Sequence, residues 1–325
     1  MGNEVDIKEN YIYKLDKELL VLLLKDQSSK KNIIWATDNY HSKGNGYYEY
    51  QEITISNITG RYGNVVKPRV EKSKIDQQKR IKDKAEVFTP SWVCNNQNNL
   101  VDNSWFGKDN VFNIEQGKRW ITNRNKIEFP TINNKSWEEY VNSIRLEITC
   151  GEAPYLASRY DTTTGEWLDV NDRIGLLDRK LRVINENIQN ENEWIAWVYK
   201  AYKSIYGFEW QGDSLLIARE NLLFTFIDYY VDRFNHYPSN EFLTEIAKIL
   251  SWNIFQMDGL KFVIPNSCKP IPKMQISLFD DEEKLEPCQG CLKNNNHKHT
   301  GIYCKVMDWE KNKPIKFIDL LKGKK

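Results

Sequence analysis

At 325 residues and 40% apolar side chains, eleven of them tryptophan, the chain can bury one large core or two modest ones. Forty-six basic against 45 acidic residues leave a formal charge of +1, which excludes a global attraction to polyanions and confines any nucleic-acid surface to a local patch. The polar stretch Met1 to Asn10 has no apolar signal core, and Leu19 to Leu24 is far too short to span a bilayer, so the expected setting is cytoplasmic with no membrane. The cysteines do not form a secreted disulfide framework, which fits a reducing compartment.

Lys14 to Leu24 reads as a short helix with a broad leucine face. Asn32 to Asp38 (Asn-Ile-Ile-Trp-Ala-Thr-Asp) reads as a buried strand, and His41 to Gly63 as irregular chain. Lys67 to Lys84 holds eight basic residues, Lys67, Arg69, Lys72, Lys74, Lys79, Arg80, Lys82 and Lys84, against three acidic ones. Such a stripe suits either phosphate contact or a solvated helix face. Ser91 to Leu100 looks helical, and Gly107 to Lys135 looks like an insertion. Strands at Arg145 to Thr149, Gly207 to Trp210 and Ile249 to Phe255 then alternate with helices at Leu215 to Phe234 and Glu241 to Lys248, which argues for a parallel α/β sheet.

Four motifs stand in order: Glu86-Val87-Phe88-Thr89-Pro90, Leu146 to Leu156 with Glu147, Cys150 and Gly151, Gly207-Phe208-Glu209-Trp210, and Asn253 to Leu260 with Asp258. Together, over roughly Arg80 to Pro265, this series resembles the adenine-N6 DNA methyltransferases of restriction-modification systems, in which a Phe-Thr-Pro motif precedes the cofactor loop. The resemblance implies a Rossmann-like S-adenosylmethionine-binding sheet, with DNA as substrate. It implies Glu209 on the ribose hydroxyls and Trp210 against the adenine ring. Glu147 would order the loop and the methionine amino end, with Cys150 and Gly151 in the turn under the cofactor. Asp258 would accept from the adenine amine, while Phe88, Thr89 and Pro90 would cover the methionine portion. The loop departs from the family's Gly-x-Gly: Gly151 is followed by Glu152-Ala153-Pro154, which adds a carboxylate and removes an amide donor.

The family's catalytic Asn-Pro-Pro-Tyr or Asp-Pro-Pro-Tyr, which holds a flipped adenine, does not occur. Asp38-Asn39-Tyr40, one residue shorter and without prolines, is either a permuted substitute, with Asp38 accepting from the amine and Tyr40 stacking, or a plain strand end. In the permuted arrangement Asn32 to Asp38 inserts beside Arg145 to Thr149 and covers that edge. Otherwise a second subunit supplies the catalytic or target-recognition part.

Cys288-Gln289-Gly290-Cys291, His297, His299 and Cys304 form the second constellation. Cys288, Cys291, His299 and Cys304 have the residue types and spacing of a structural zinc knuckle, with Cys94, Cys150 and Cys268 outside it; the alternative is a set of unrelated residues. The expected organisation is therefore an N-terminal segment over 1–79 with the candidate catalytic strand, a methyltransferase-like domain over 80–270, and a zinc-binding segment over 271–325. Function divides between an S-adenosylmethionine-dependent adenine methyltransferase, or its cofactor-binding subunit, and an inactive subunit that binds DNA or assembles a complex. The acidic run Asp280 to Glu283 has no matching lysine-bearing strand and reads as solvated rather than as a nuclease metal site.

Overall fold

The computed structural model describes residues 8–84, 86–131, 135–272 and 285–321. The first apolar run forms two helices where one was expected, α1 (Glu9–Leu15) and α2 (Lys17–Leu24). Asp16 between them is extended, and its carboxylate accepts the Glu18 amide, so one residue ends α1 and caps α2. After the short α3 (Ile55–Ile58), the basic stretch leads into α4 (Lys74–Lys84). Helix α5 (Ser91–Phe106) runs past Leu100 until Gly107, whose φ of +72° supplies a left-handed stop. The expected insertion holds a hairpin, β1 (Asn113–Gln116) with β2 (Arg119–Thr122). The Asn113 carboxamide exchanges hydrogen bonds with Asn95 and accepts from Asn99, which fixes the hairpin to α5.

The chain continues through α6 (Trp137–Asn142), β3 (Arg145–Ile148), α7 (Leu176–Asn187), α8 (Glu191–Lys203), β4 (Ile205–Glu209), α9 (Gly212–Phe234), α10 (Asn240–Asn253) and β5 (Ile254–Gln256). Strands β3, β4 and β5 pair in parallel in that order, making a mixed α/β chain with a parallel sheet. Helix α9 is buried along most of its length and starts at Gly212, where a Cβ would collide with the Ile34 carbonyl oxygen. The strand expected over Ile249 to Phe255 is mostly helix. Leu243, Ile246, Ala247 and Leu250 keep helical spacing, and the Asn253 carboxamide donates to the Tyr202 and Ile205 carbonyls before the short β5 begins.

Asn32 to Asp38 does not insert beside β3. It is an irregular buried segment on the β5 side of the sheet, hydrogen-bonded to Gln256 at the end of β5 through Ile34 and to Gly212 through Trp35. The Gln256 carboxamide stands where a ladder to β5 would, isolated backbone bonds to residues 49–53 hold the other side, and Ala36, at φ +52°, breaks the extended run. Strand β3 is consequently an edge of the sheet among the described residues, with Ile144, Leu146 and Ile148 71%, 43% and 65% exposed.

The C-terminal part comprises β6 (Ile271–Pro272) paired with β7 (Leu285–Glu286), α11 (Gln289–Lys293), the hairpin β8 (Lys305–Asp308) with β9 (Lys313–Lys316), and α12 (Phe317–Leu320). Val306 and Phe317 pack with Phe208 and Phe255 as a small second core. The acidic run Asp280 to Glu283 lies outside the described residues. No helix among the described residues is long and apolar enough to cross a membrane.

The main core is studded with paired charge. Arg219 on α9, fully buried, donates to the carbonyls of Leu23, Lys25, Ser251 and Ile254, tying the C-terminal ends of α2 and α10 to β5. Arg179 on α7 bonds Asp102 at 2.6 Å together with Asn95 and Asn99, and Tyr140 donates to the same Asp102 carboxylate. Removing one partner of such a pair strands the other charge in the core. Asp102→Ala is therefore expected to lower the unfolding free energy by about 3–5 kcal/mol. Urea unfolding checks this, and a loss below about 1 kcal/mol would mean that the pair is not desolvated as described.

Candidate functional site

A cleft of about 930 Å³ opens at the C-terminal ends of β3 and β4, where ligands of parallel sheets collect. It is lined by five carboxylates, Asp38, Glu49, Glu86, Glu147 and Glu209, and by no lysine, arginine or histidine among the described residues. Phe88, Tyr155 and Trp210 supply aromatic walls.

The two carboxylates at the strand ends are built into the backbone. Glu209 accepts from the amides of Gly151 at 2.9 Å, Trp210 at 2.8 Å and Gln211 at 3.1 Å, so it joins the loop after β3 to the entry of α9. Glu147 accepts from the amides of Tyr155 and Leu156 on the same loop. Burial raises the Glu147 carboxyl to about 8 despite those amides, with Glu209 adding to the rise. Burial also raises Glu209, against the pull of its three amide donors.

The loop these carboxylates hold is strained. Thr149, Gly151 and Ala153 all have positive φ, at +48°, +53° and +62°. For β-branched Thr149 this is a costly conformation, which persists only where surrounding contacts impose it. Phe88 lies against Gly151, and the Arg69 guanidinium covers the outer face of the Phe88 ring.

Most residues expected at a cofactor converge here: Phe88, Thr89, Glu147, Cys150, Gly151, Glu209 and Trp210 all line the cleft. Pro90 stands just behind it as the residue before α5. The Trp210 indole N–H donates to the Ala36 carbonyl, which pins the ring at the cleft wall. Glu152, expected to add charge beside the cofactor, turns away to accept from the Arg69 amide and the Tyr160 hydroxyl.

Asp258 is placed elsewhere. Its carboxylate accepts from the amides of Leu260 and Lys261 in its own turn and does not line the cleft. Of the pair expected to be catalytic, Asp38 is exposed at the cleft and Tyr40 is not available to stack a base. Tyr40 is buried, and its hydroxyl donates to Asp213 at 2.6 Å and accepts from Arg80 at 3.0 Å. Burial opposes ionisation of Asp213, but Arg80 and Lys72 hold it well below the usual carboxylate range. The basic stretch thus divides: Arg80 and Lys72 turn inward to this network, while Lys74, Lys79 and Lys82 face solvent. Gln211, Glu49 and Asn266 also line the cleft and went unread in the sequence, since each sits in a loop whose position only the tertiary fold sets.

The second cluster consists of Cys268, Cys288, Cys291 and His299, with ligand atoms all within 4.8 Å of one another. This group could hold a metal such as zinc. The three sulfur atoms lie 3.6–3.7 Å from His299 Nδ1. Tetrahedral zinc with ordinary Zn–S and Zn–N bonds requires about 3.6 Å between S and N. Burial raises the Cys288 thiol, but donors from Thr300, the Cys291 amide and His299 outweigh it and bring it down to about 5, a ready thiolate ligand.

Cys304, expected as the fourth ligand, is fully buried in the second core and donates to the Gln256 carbonyl. Cys268, which the sequence reading set aside, takes its place. His297 is exposed and outside the cluster. Cys268→Ala is expected to abolish stoichiometric zinc, while Cys304→Ala retains it. Elemental analysis of both purified variants checks this, and the reverse pattern would restore Cys304 as the ligand.

No family model, curated protein or solved structure matches this chain.

Proposed function

We propose that the chain is the S-adenosylmethionine-binding part of a DNA adenine-N6 methyltransferase of the restriction-modification or defence type, with the catalytic strand supplied by a second polypeptide. The observation that carries this reading is the charge of the cleft. Five carboxylates line it and, among the described residues, no lysine, arginine or histidine does, although Glu86 is paired with Arg80 and Glu49 is bonded to His41 from behind. The remaining acids favour a cationic ligand that ionises Glu147 and Glu209 as it binds, and the aromatic walls favour one with a flat heterocycle. A sulfonium and an ammonium on an adenosine answer both demands. Dinucleotides and nucleoside triphosphates do not, because their phosphates would meet the carboxylates. The backbone amides of the β3 loop, which cradle phosphate in dinucleotide sites, are here taken by Glu147 and Glu209.

In this reading the sheet is the first half of a Rossmann-like methyltransferase sheet. Glu209 accepts from a ribose hydroxyl through the acceptor site its three amide donors leave open, and Glu147 faces the methionine ammonium. Trp210 flanks the adenine, and Phe88 and Thr89 cover the methionine chain. Zinc at the cysteine cluster is structural, since four protein ligands leave no open position. The solvent-facing lysines of α4, which leads directly to Phe88 and Thr89, provide a local contact for DNA phosphates.

The open side of β3 supports a second polypeptide. Parallel strands are normally covered on both sides, yet β3 has a free edge among the described residues and apolar side chains in solvent, next to the cleft. A further strand there would end at the cleft mouth, where the Asn-Pro-Pro-Tyr missing from this chain is needed. An inactive assembly subunit uses the same fold and differs in whether a partner restores transfer.

Calorimetry with S-adenosylmethionine is expected to show binding by the wild type and a loss of at least about tenfold in Glu209→Ala, the value of one to two hydrogen bonds to a charged acceptor. Because a cationic ligand favours ionised carboxylates, binding should release protons and tighten as pH rises from 6 toward the Glu147 value of about 8. No wild-type binding would end the reading, and equal affinities would remove Glu209 from the ribose. The chain alone is expected to transfer no labelled methyl group to adenine in duplex DNA. Transfer by the purified chain would show that no second polypeptide is required.

A further inference from the structure

A short segment joins the cysteine cluster to the cleft. From β5 the chain makes the Asp258 turn, and Val263 then bridges both Asp258 and Tyr303. The next residues, Ile264 to Lys269, run across to the cluster and end with Cys268 inside it. Two positions before that ligand, Asn266 lines the cleft, at φ +58° and exposed.

Nearly everything that fixes this segment comes from the cluster side. The Ile264 amide donates to Ile302, the Ile302 amide donates to the Ser267 hydroxyl, and the Lys269 amide and carbonyl both bond the Thr300 hydroxyl. Gly301 approaches Ser267 and Cys268 so closely that a Cβ there would collide with the Ser267 hydroxyl. Residues 300–302 directly follow His299, and the Thr300 amide donates to the Cys288 sulfur. Hydrogen bonds alone link the cluster residues to one another, from His299 Nδ1 to the three sulfurs and from the Thr300 amide to Cys288. A metal would add four direct bonds that tie Cys268, and with it Ile264 to Lys269, to Cys288, Cys291 and His299.

We infer that metal at Cys268, Cys288, Cys291 and His299 holds Asn266 at the mouth of the cleft, where its carboxamide binds the purine edge of the ligand. The assignment of the purine rests on the reading of the cleft as an S-adenosylmethionine site. Asn266 lines the same cleft as Glu209 and Trp210, the residues assigned to the adenosine, and its segment follows β5, which lies beside β4 and away from β3 in the sheet order. A carboxamide offers a donor and an acceptor side by side, which matches the amine and ring nitrogen of adenine. The surrounding carboxylates can only accept once ionised.

Metal and ligand are then linked, each strengthening the binding of the other. Four preparations test this in S-adenosylmethionine titrations: zinc-loaded wild type, wild type stripped by a chelator, Asn266→Ala and Asn266→Gln. Asn266→Ala is expected to keep its zinc and bind about tenfold more weakly, the value of a lost hydrogen-bonded pair. Stripped wild type should lose at least as much, and saturating ligand should slow zinc release to the chelator. Hydrogen exchange needs no ligand: stripping should accelerate amides in 264–269 while those of β3 and β4 stay protected. Equal ligand affinity with and without zinc, with unchanged exchange in 264–269, overturns the inference. If zinc-loaded wild type fails to bind at all, the cleft reading falls and takes the role of Asn266 with it, while the exchange comparison still decides whether metal holds the segment.

Discussion

The site depends on two carboxylates that bond to backbone rather than to side chains. Glu147 and Glu209 end adjacent parallel strands, and between them they accept five amides from the loops that follow those strands. A loop with left-handed residues at Thr149, Gly151 and Ala153 would relax if those acceptors were removed. The same two groups also line the cleft, so the shape of its loop and the acidity of its wall have one origin. Their raised affinity for protons is the cost of burial, and it leaves them poised to respond to any charge brought beside them.

Around that centre the fold is held by charges whose partners are backbone carbonyls or single acids. Arg219 collects the carbonyls at two helix ends, Lys180 donates to Val141 and Ser204, and Arg80 joins Asp213 to Glu86. Burial pushes the Lys180 amine well below its ordinary value and the neighbouring Arg145 adds to the drop, against the pull of Asp102. An interior of this kind is less forgiving than an apolar one, since each group has a small set of partners that satisfy it.

Local chemistry made part of this legible in the sequence. Strands β3 and β4 each end in an acid followed by a turn, and that pattern gave both the elements and the residues at the cleft. Cys288, Cys291 and His299 were readable because ligands one turn apart must point the same way. Cys268 was not, because its approach to the cluster is made by chain folding back from β5, and spacing alone favoured Cys304. Asn32 to Asp38 shows the limit of an apolar run: its largely buried residues read the same whether they pair in the sheet ladder or are held by isolated bonds to residues 49–53 and to the Gln256 carboxamide. Tyr40 looked reactive beside Asp38, and only its contacts with Asp213 and Arg80, both distant in sequence, reveal it as a buried strut.

The uncovered side of β3 has a consequence for stoichiometry. Natural sheets protect their edges with lysine, proline, bulges or a covering element, and β3 has apolar Leu146 and Ile148 in solvent beside an edge that is unpaired among the described residues. If a second polypeptide covers that strand, as proposed, then a chain produced in excess of it has a surface through which copies can add to one another. The relative amounts of the two would then be part of what keeps the chain dispersed, as much as any contact inside it.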